Sequence, residues 1–276
     1  MMTVKEIIKN ISCQLVMYSE TPNLDAEILV GHIFKKSRAE LFAYSEVRVR
    51  PTQKKQLADC ISRRVAGEPV AYILGEKEFW SLSLTVTPDV LIPRPETEML
   101  VEWILKNLPK DEKLQVADLG TGSGAIAIAI ASERPYWQLI AVDNSKKALK
   151  VAKTNAEKHH IRNINFHFSE WCQALEQQNY HVIVGNPPYI LDCDKHLQQL
   201  KYEPHEALAG GPDGLASIKT IIEEAKSYLT DGGWLLLEHG FDQSQKIIEL
   251  MQEANYYQIQ DYTDPAGLPR MIVARR

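Results

Sequence analysis

Gln115-Val116-Ala117-Asp118-Leu119-Gly120-Thr121-Gly122-Ser123-Gly124-Ala125-Ile126-Ala127-Ile128-Ala129-Ile130 decides the fold. Its first five residues read as a strand, its glycines as a tight turn, and its apolar end as a helix buried on every side. Glycine lets the main chain turn sharply and approach a ligand closely, because a Cβ would collide with it. Strand, glycine loop and buried helix in that order begin an α/β fold, a Rossmann-like sheet with helices on both faces. Its ligands are expected beyond the carboxyl ends of the strands.

The alternation continues downstream. Residues 139–142, 164–168, 182–184 and 234–237 read as strands, and 124–133, 145–158, 215–229 and 243–254 as helices. Ile259 and residues 271–274 read as closing edge strands. Upstream the pattern differs. Ile7, Ile8, Ile11 and Leu15 fall on one helical stripe, Ile28, Leu29, Ile33 and Phe34 on a second, and Leu57, Ile61 and Val65 on a third that Gly67 closes. Residues 79–87 alternate like a strand, Pro88-Asp89 turns, and 90–92 reads as its partner. The expected organisation is a small helical bundle for substrate recognition over 1–75, a β-hairpin linker over 76–95, and the sheet domain over 96–276.

Composition narrows the function. In 276 residues, 45% of them apolar, there is no run long enough to span a membrane, and the N-terminus lacks the apolar block of a secretory signal, so a cytoplasmic protein is expected. Cys13, Cys60, Cys172 and Cys193 are widely spaced, which indicates neither a disulfide framework nor a metal site. A net charge of −5 argues against a protein that holds nucleic acid by neutralising phosphates. Residues 1–75 nevertheless carry 11 Lys/Arg against 8 Asp/Glu. Lys54, Lys55, Arg63 and Arg64 belong to a mildly basic face there, with acids interleaved as on a solvated helix.

Two ligand classes compete for the glycine loop. Gly120, Gly122 and Ala125 fit the dinucleotide fingerprint, and Asp143 stands where a ribose-binding acid belongs, so an NAD-binding oxidoreductase is one reading. Asp118 favours another. Beside a pyrophosphate it would be repelled by up to ~4 kcal/mol at close contact. S-adenosylmethionine carries an ammonium and a sulfonium instead, and matches the acid. Asp118, Gly120, Thr121, Gly122, Ser123 and Gly124 are then the cofactor loop, with Asp143 for the ribose. Ser169-Glu170-Trp171 after the third strand offers an acid and an aromatic to the adenine.

A second motif names the acceptor. In Val182-Ile183-Val184-Gly185-Asn186-Pro187-Pro188-Tyr189 the strand must stop at Asn186, because neither proline has an N–H for a ladder. The rigid turn fixes the Asn186 side-chain oxygen relative to the Pro187 carbonyl. Two such acceptors suit a planar –NH2, while Pro188 stiffens the turn and Tyr189 offers an aromatic face. Asn186, Pro187 and Tyr189 are therefore the candidate catalytic residues.

Together, Asp-x-Gly-x-Gly-x-Gly after the first strand and Asn-Pro-Pro-Tyr after the fourth resemble the class I S-adenosylmethionine-dependent methyltransferases of planar amino nitrogens. Residues 92–98 (Ile-Pro-Arg-Pro-Glu-Thr-Glu), Tyr202-Glu203-Pro204, residues 207–215 and Glu238-His239-Gly240 narrow the resemblance to the peptide chain release factor N5-glutamine methyltransferases. It runs along nearly the whole chain. It implies methyl transfer to the glutamine of the Gly-Gly-Gln loop of class 1 release factors, with S-adenosylhomocysteine as product. Asn186 and Pro187 would hold the glutamine amide, Tyr189 would pack on it, and the glycine loop, Asp143, Trp171 and Asn186 would contact the cofactor. A monomer that binds no nucleic acid directly is expected. Glu170 departs from the family's usual Asp. The alternatives are a glutamine methyltransferase of a ribosomal protein and a nucleic-acid base amino-group methyltransferase, which share the turn. An amide nitrogen is a poor nucleophile, so positioning matters more than a base, and His239 reads as structural. Arg94 has no role in this reading.

Overall fold

The computed structural model describes residues 2–177 and 179–276. They form two compact units that divide after Glu76.

The first unit is helical: α1 (Val4–Leu15), α2 (Pro22–Phe34), α3 (Arg38–Ala43), α4 (Pro51–Val65) and α5 (Val70–Leu74). Thr3 and Ser37 open α1 and α3 with capping boxes, each accepting from the N–H of a glutamate that returns the bond. Ile7, Ile11, Leu15, Leu29, Leu57 and Ile73 fill the core. Helices α3 and α5 escaped the sequence reading because six and five residues are too few to show a period. The expected basic face is also smaller than its sequence suggests. Arg63 is bonded to Glu68 at 2.5 Å and Arg64 to Asp25 at 2.7 Å, so both guanidinium groups hold this unit together internally.

Next in the chain comes a hairpin, β1 (Glu76–Phe79) and β2 (Leu82–Thr85), which belongs to the second unit apart from Glu76. This corrects the expected strand 79–87 and its partner 90–92. Trp80 and Ser81 have φ of 51° and 57°, a two-residue turn with both centres left-handed, and neither residue type announces such a turn. The 90–92 segment is not a strand, and its Ile92 N–H is bonded instead to Glu203 Oε2 at 3.0 Å.

After α6 (Glu98–Asn107), strand and helix alternate as β3 (Gln115–Leu119), α7 (Ala125–Glu133), β4 (Gln138–Asp143), α8 (Lys146–Lys158), β5 (Ile164–Phe168) and β6 (Tyr180–Gly185). The chain continues through α9 (His196–Gln199), α10 (Ala216–Tyr228), β7 (Leu229–Glu238), α11 (Ser244–Glu253), β8 (Tyr257–Thr263) and β9 (Pro269–Arg275). The sheet order is β5-β4-β3-β6-β7-β9-β8, with β9 antiparallel to both neighbours and the other pairs parallel. Successive strand residues serve opposite faces. Val116 and Val182 pack with Leu100, Ile104 and Ile128 from α6 and α7, whereas Leu119 and Ile183 pack with Ile218, Ile221 and Ile247 from α10 and α11.

Register brings three strand ends into line. Leu119 of β3 lies opposite Gly185 of β6, and Gly185 opposite Leu237 of β7. A Cβ at Gly185 would meet the Leu119 carbonyl oxygen at 2.8 Å, so only glycine permits this approach. The next residues, Gly120, Asn186 and Glu238, consequently stand side by side at the carboxyl edge.

Candidate active site

A cavity of about 530 Å³ lies at this edge. Of the residues singled out in the sequence for the cofactor and the acceptor, Gly120, Gly122, Asp143, Ser169, Glu170, Trp171, Asn186 and Pro188 line it. Asp118, Thr121, Ser123, Gly124 and Pro187 are buried and do not line it, and Tyr189, half-buried, does not line it either.

The loop is shaped by Asp143. This carboxylate accepts from the N–H of Gly122 through Oδ2 and of Ser145 through Oδ1, both at 2.8 Å, and burial raises its pKa. Gly120, Gly122 and Gly124 all have positive φ, and at Gly124 a Cβ would also strike Ile128 Cδ1 at 2.8 Å. Asp118 lies beneath the loop rather than beside the ligand space, the position expected from the sequence. Its Oδ2 accepts from the Thr121 hydroxyl at 2.6 Å and from the Ala127 N–H at 3.2 Å, while its buried Oδ1 has no partner. Burial is the main reason its pKa is pushed up to about 7, with Asp143 adding to the effect.

These features fit a cationic group. The lining includes the carboxylates of Asp89, Asp143, Glu170, Asp192 and Glu206 and, among the described residues, no Lys or Arg. A pyrophosphate would meet uncompensated repulsion there, so the dinucleotide alternative loses its footing. S-adenosylmethionine would be held by Gly120 and Gly122 of the loop, Asp143 and Trp171, with the buried Asp118 carboxyl beneath the loop acting on its positive charge through space rather than by contact. The Trp171 ring stands 3.6 Å from where a Gly120 Cβ would be, leaving the indole and the loop on one wall.

On the acceptor side, Asn186 Nδ2 donates to Thr97 Oγ1 at 3.2 Å. Thr97 donates to Glu238 Oε2 at 2.6 Å, and the Tyr189 hydroxyl donates to Glu238 Oε1 at 3.1 Å. Burial and the adjacent Glu238 raise the Tyr189 pKa, keeping the phenol protonated. Among the described residues, neither Asn186 Oδ1 nor the Pro187 carbonyl has an intramolecular partner. Arg94, left without a role by the sequence, is bonded to buried Glu203 at 2.5 Å, and Glu203 also holds the Ile92 N–H. It therefore ties the 92–94 segment to the chain beyond the Pro-Pro turn. His239 is fully buried, its ring nitrogens bonded to the Gly240 carbonyl and Asp261, and it does not line the cavity.

Sequence reasoning missed Thr97, Glu203 and Glu238 as individuals. All three sit in stretches quoted for the resemblance, but nothing in their local pattern says that they meet Asn186 or Arg94.

Known proteins resemble this chain along its whole length. Residues 97–202 match the methyltransferase small domain and residues 6–75 the PrmC N-terminal domain. The release factor glutamine methyltransferase of Coxiella burnetii is 66% identical over 276 residues, covering 100% of both chains. The chain belongs to the release factor glutamine methyltransferase family. The Escherichia coli (strain K12) member is 43% identical over 259 residues, covering 93% of each chain. Among solved structures, a Pyrococcus furiosus methyltransferase superposes with a TM-score of 0.54 at 16% identity, covering 82% of this chain and 98% of the other. The hMettl16 catalytic domain gives 0.58 at 14%, covering 82% and 80%. Both likenesses show the class I fold, and family and fold together make this an S-adenosylmethionine-dependent methyltransferase.

Proposed function

We propose that the enzyme methylates the side-chain amide nitrogen (N5) of the glutamine in the Gly-Gly-Gln motif of class 1 release factors. The observation that carries this reading is the Asn186 amide of the cavity lining, anchored through its –NH2 by Thr97 so that its oxygen is left without an intramolecular partner among the described residues. That oxygen would accept one N–H bond of a carboxamide, and the Pro187 carbonyl, on a residue between the lining residues Asn186 and Pro188 that does not itself line the cavity, would accept the other as the substrate seats. Holding both hydrogens draws density toward nitrogen and aligns it for in-line attack. The bound S-adenosylmethionine supplies an electrophilic methyl group. Tyr189, fixed by Glu238, would pack on the flat amide. The helical first unit would recognise the release factor, using Lys54 and Lys55 rather than the internally paired Arg63 and Arg64. No helix among the described residues is long and apolar enough to cross a membrane, and translation factors are met in the cytoplasm, where we place the enzyme.

The test is mass spectrometry of a purified release factor after incubation with enzyme and S-adenosylmethionine. One methyl group on the motif glutamine is expected, with Asn186→Ala slower by about 10²-fold or more at little change in cofactor affinity. Methylation elsewhere, or full turnover by Asn186→Ala, overturns the assignment.

A further inference from the structure

We propose that Thr97 and Glu238 are positioning residues forming a one-way hydrogen-bond relay that fixes which end of the Asn186 amide faces the acceptor. The inference rests on the role given to Asn186 above. An ionised carboxylate only accepts hydrogen bonds, and a threonine hydroxyl has one proton to donate. At 2.6 Å from Glu238 Oε2, Thr97 directs that proton to the carboxylate. Its oxygen then meets Asn186 solely as an acceptor, so only the –NH2 end of the amide fits at 3.2 Å. The flipped amide would oppose two lone pairs with no proton between them. One buried carboxylate thus orients both the Asn186 oxygen and, through the bond to Oε1, the Tyr189 ring.

The direction of the relay depends on Glu238 being charged. Glu238 is 2% exposed, and burial raises its pKa, opposed by the Thr97 and Tyr189 hydrogen bonds. Glu96 adds to the rise, Arg270 opposes it, and Arg94 and Arg270 both act on the neighbouring Tyr189. Once protonated, the carboxyl has a proton of its own to donate to Thr97. The Thr97 proton is then free to turn toward Asn186, and both amide orientations become acceptable. Turnover should therefore be lost as pH falls through this raised pKa.

The experiment measures methyl transfer to a purified class 1 release factor at saturating S-adenosylmethionine, with cofactor affinity titrated calorimetrically in parallel. Thr97→Val keeps the shape but removes the relay, and kcat should fall about tenfold while the cofactor Kd stays within about twofold. Thr97→Ser retains the hydroxyl and should restore turnover. Glu238→Gln does not titrate and should lose the acid limb of the kcat profile. Equal turnover of Thr97→Val and Thr97→Ser, a parallel loss of cofactor affinity, or an acid limb surviving in Glu238→Gln overturns the relay. A fully active Asn186→Ala would instead remove the reading beneath it, whereas an inactive Asn186→Ala beside a fully active Thr97→Val removes the relay alone.

Discussion

Asp118 should make cofactor binding depend on pH near neutrality. Its carboxyl is 1% exposed with one oxygen orphaned, and its pKa stands at about 7 against an ordinary 3.8. A shift of that size corresponds to a cost on the order of 4 kcal/mol for keeping the group charged in the folded, unliganded state. The sign follows from proton counting. Between pH 4 and 7 the folded chain retains a proton that the unfolded chain has released, so the unliganded protein loses stability as pH rises through that window. A cationic cofactor in the cavity beside the loop reverses the preference through space, because its charge favours the ionised form even though Asp118 does not line that cavity. With a pKa near 7 about one molecule in eleven is ionised at pH 6 and nearly all at pH 8, so S-adenosylmethionine should bind more weakly at pH 6, by up to about tenfold. Asp118→Asn keeps an oxygen for Thr121 and Ala127 but removes the charge. It should raise the melting temperature of the unliganded protein at pH 8 by about 4–8 °C, for a net gain of about 2 kcal/mol after an unsatisfied –NH2 is allowed for. The same variant should bind the cofactor more weakly and lack the pH dependence that separates it from wild type. Isothermal titration at pH 6, 7 and 8 with both proteins measures this directly. An affinity level across that range in wild type, or an identical slope in Asp118→Asn, refutes the argument.

Two further substitutions test the scaffold. Asn155 is fully buried and ties β2 to the glycine loop, donating to the Thr85 and Ser123 carbonyls at 2.9 Å each and accepting from the Thr85 N–H at 2.7 Å. Asn155→Ala should cost about 3–4 kcal/mol by urea unfolding, as three bonds are lost and their partners stranded, and a loss below about 1 kcal/mol would contradict this. Arg94→Met leaves Glu203 buried without its cation. Discounted for the 32% exposure of Arg94, the expected cost is about 2 kcal/mol, with a raised KM for the release factor and unchanged cofactor affinity, read by steady-state kinetics.

The sequence was most legible where chemistry and chain order coincide. The 115–130 stretch contains its strand, turn and helix consecutively, so periodicity and glycine placement suffice to locate the sheet and the cofactor loop. The same holds for Asn186, whose position is dictated by the two prolines that follow. Legibility failed at Trp80-Ser81, where a left-handed turn is imposed on residues that do not favour it, and at Asp118, whose depth depends on how α7 packs over it. Arg63 and Arg64 misled for a related reason. Their charge is visible in the sequence, but their partners at Glu68 and Asp25 are set by the helical packing.

The distance along the chain explains why the relay residues stayed hidden. Thr97 and Asn186 are 89 positions apart, and Thr97 and Glu238 are 141 apart. Local pattern cannot report such pairings, whereas sheet register can. Neighbouring strands lie about 4.8 Å apart, so aligning Leu119, Gly185 and Leu237 delivers the following residues to adjacent places along one edge. On the proposed reading, the β3 place would start the loop for a cationic cofactor, the β6 place would present an amide to the acceptor, and the β7 place, which buries the Glu238 carboxylate, would orient that amide. Gly185 permits the arrangement by letting β6 close on the Leu119 carbonyl. A methyl group at that position would push β6 away from β3 and move Asn186 by a fraction of an ångström. Methyl transfer between two held atoms is sensitive to displacements of that size, so with Asn186 in the proposed role the smallest residue of the Val-Ile-Val-Gly strand would constrain catalysis from within the core.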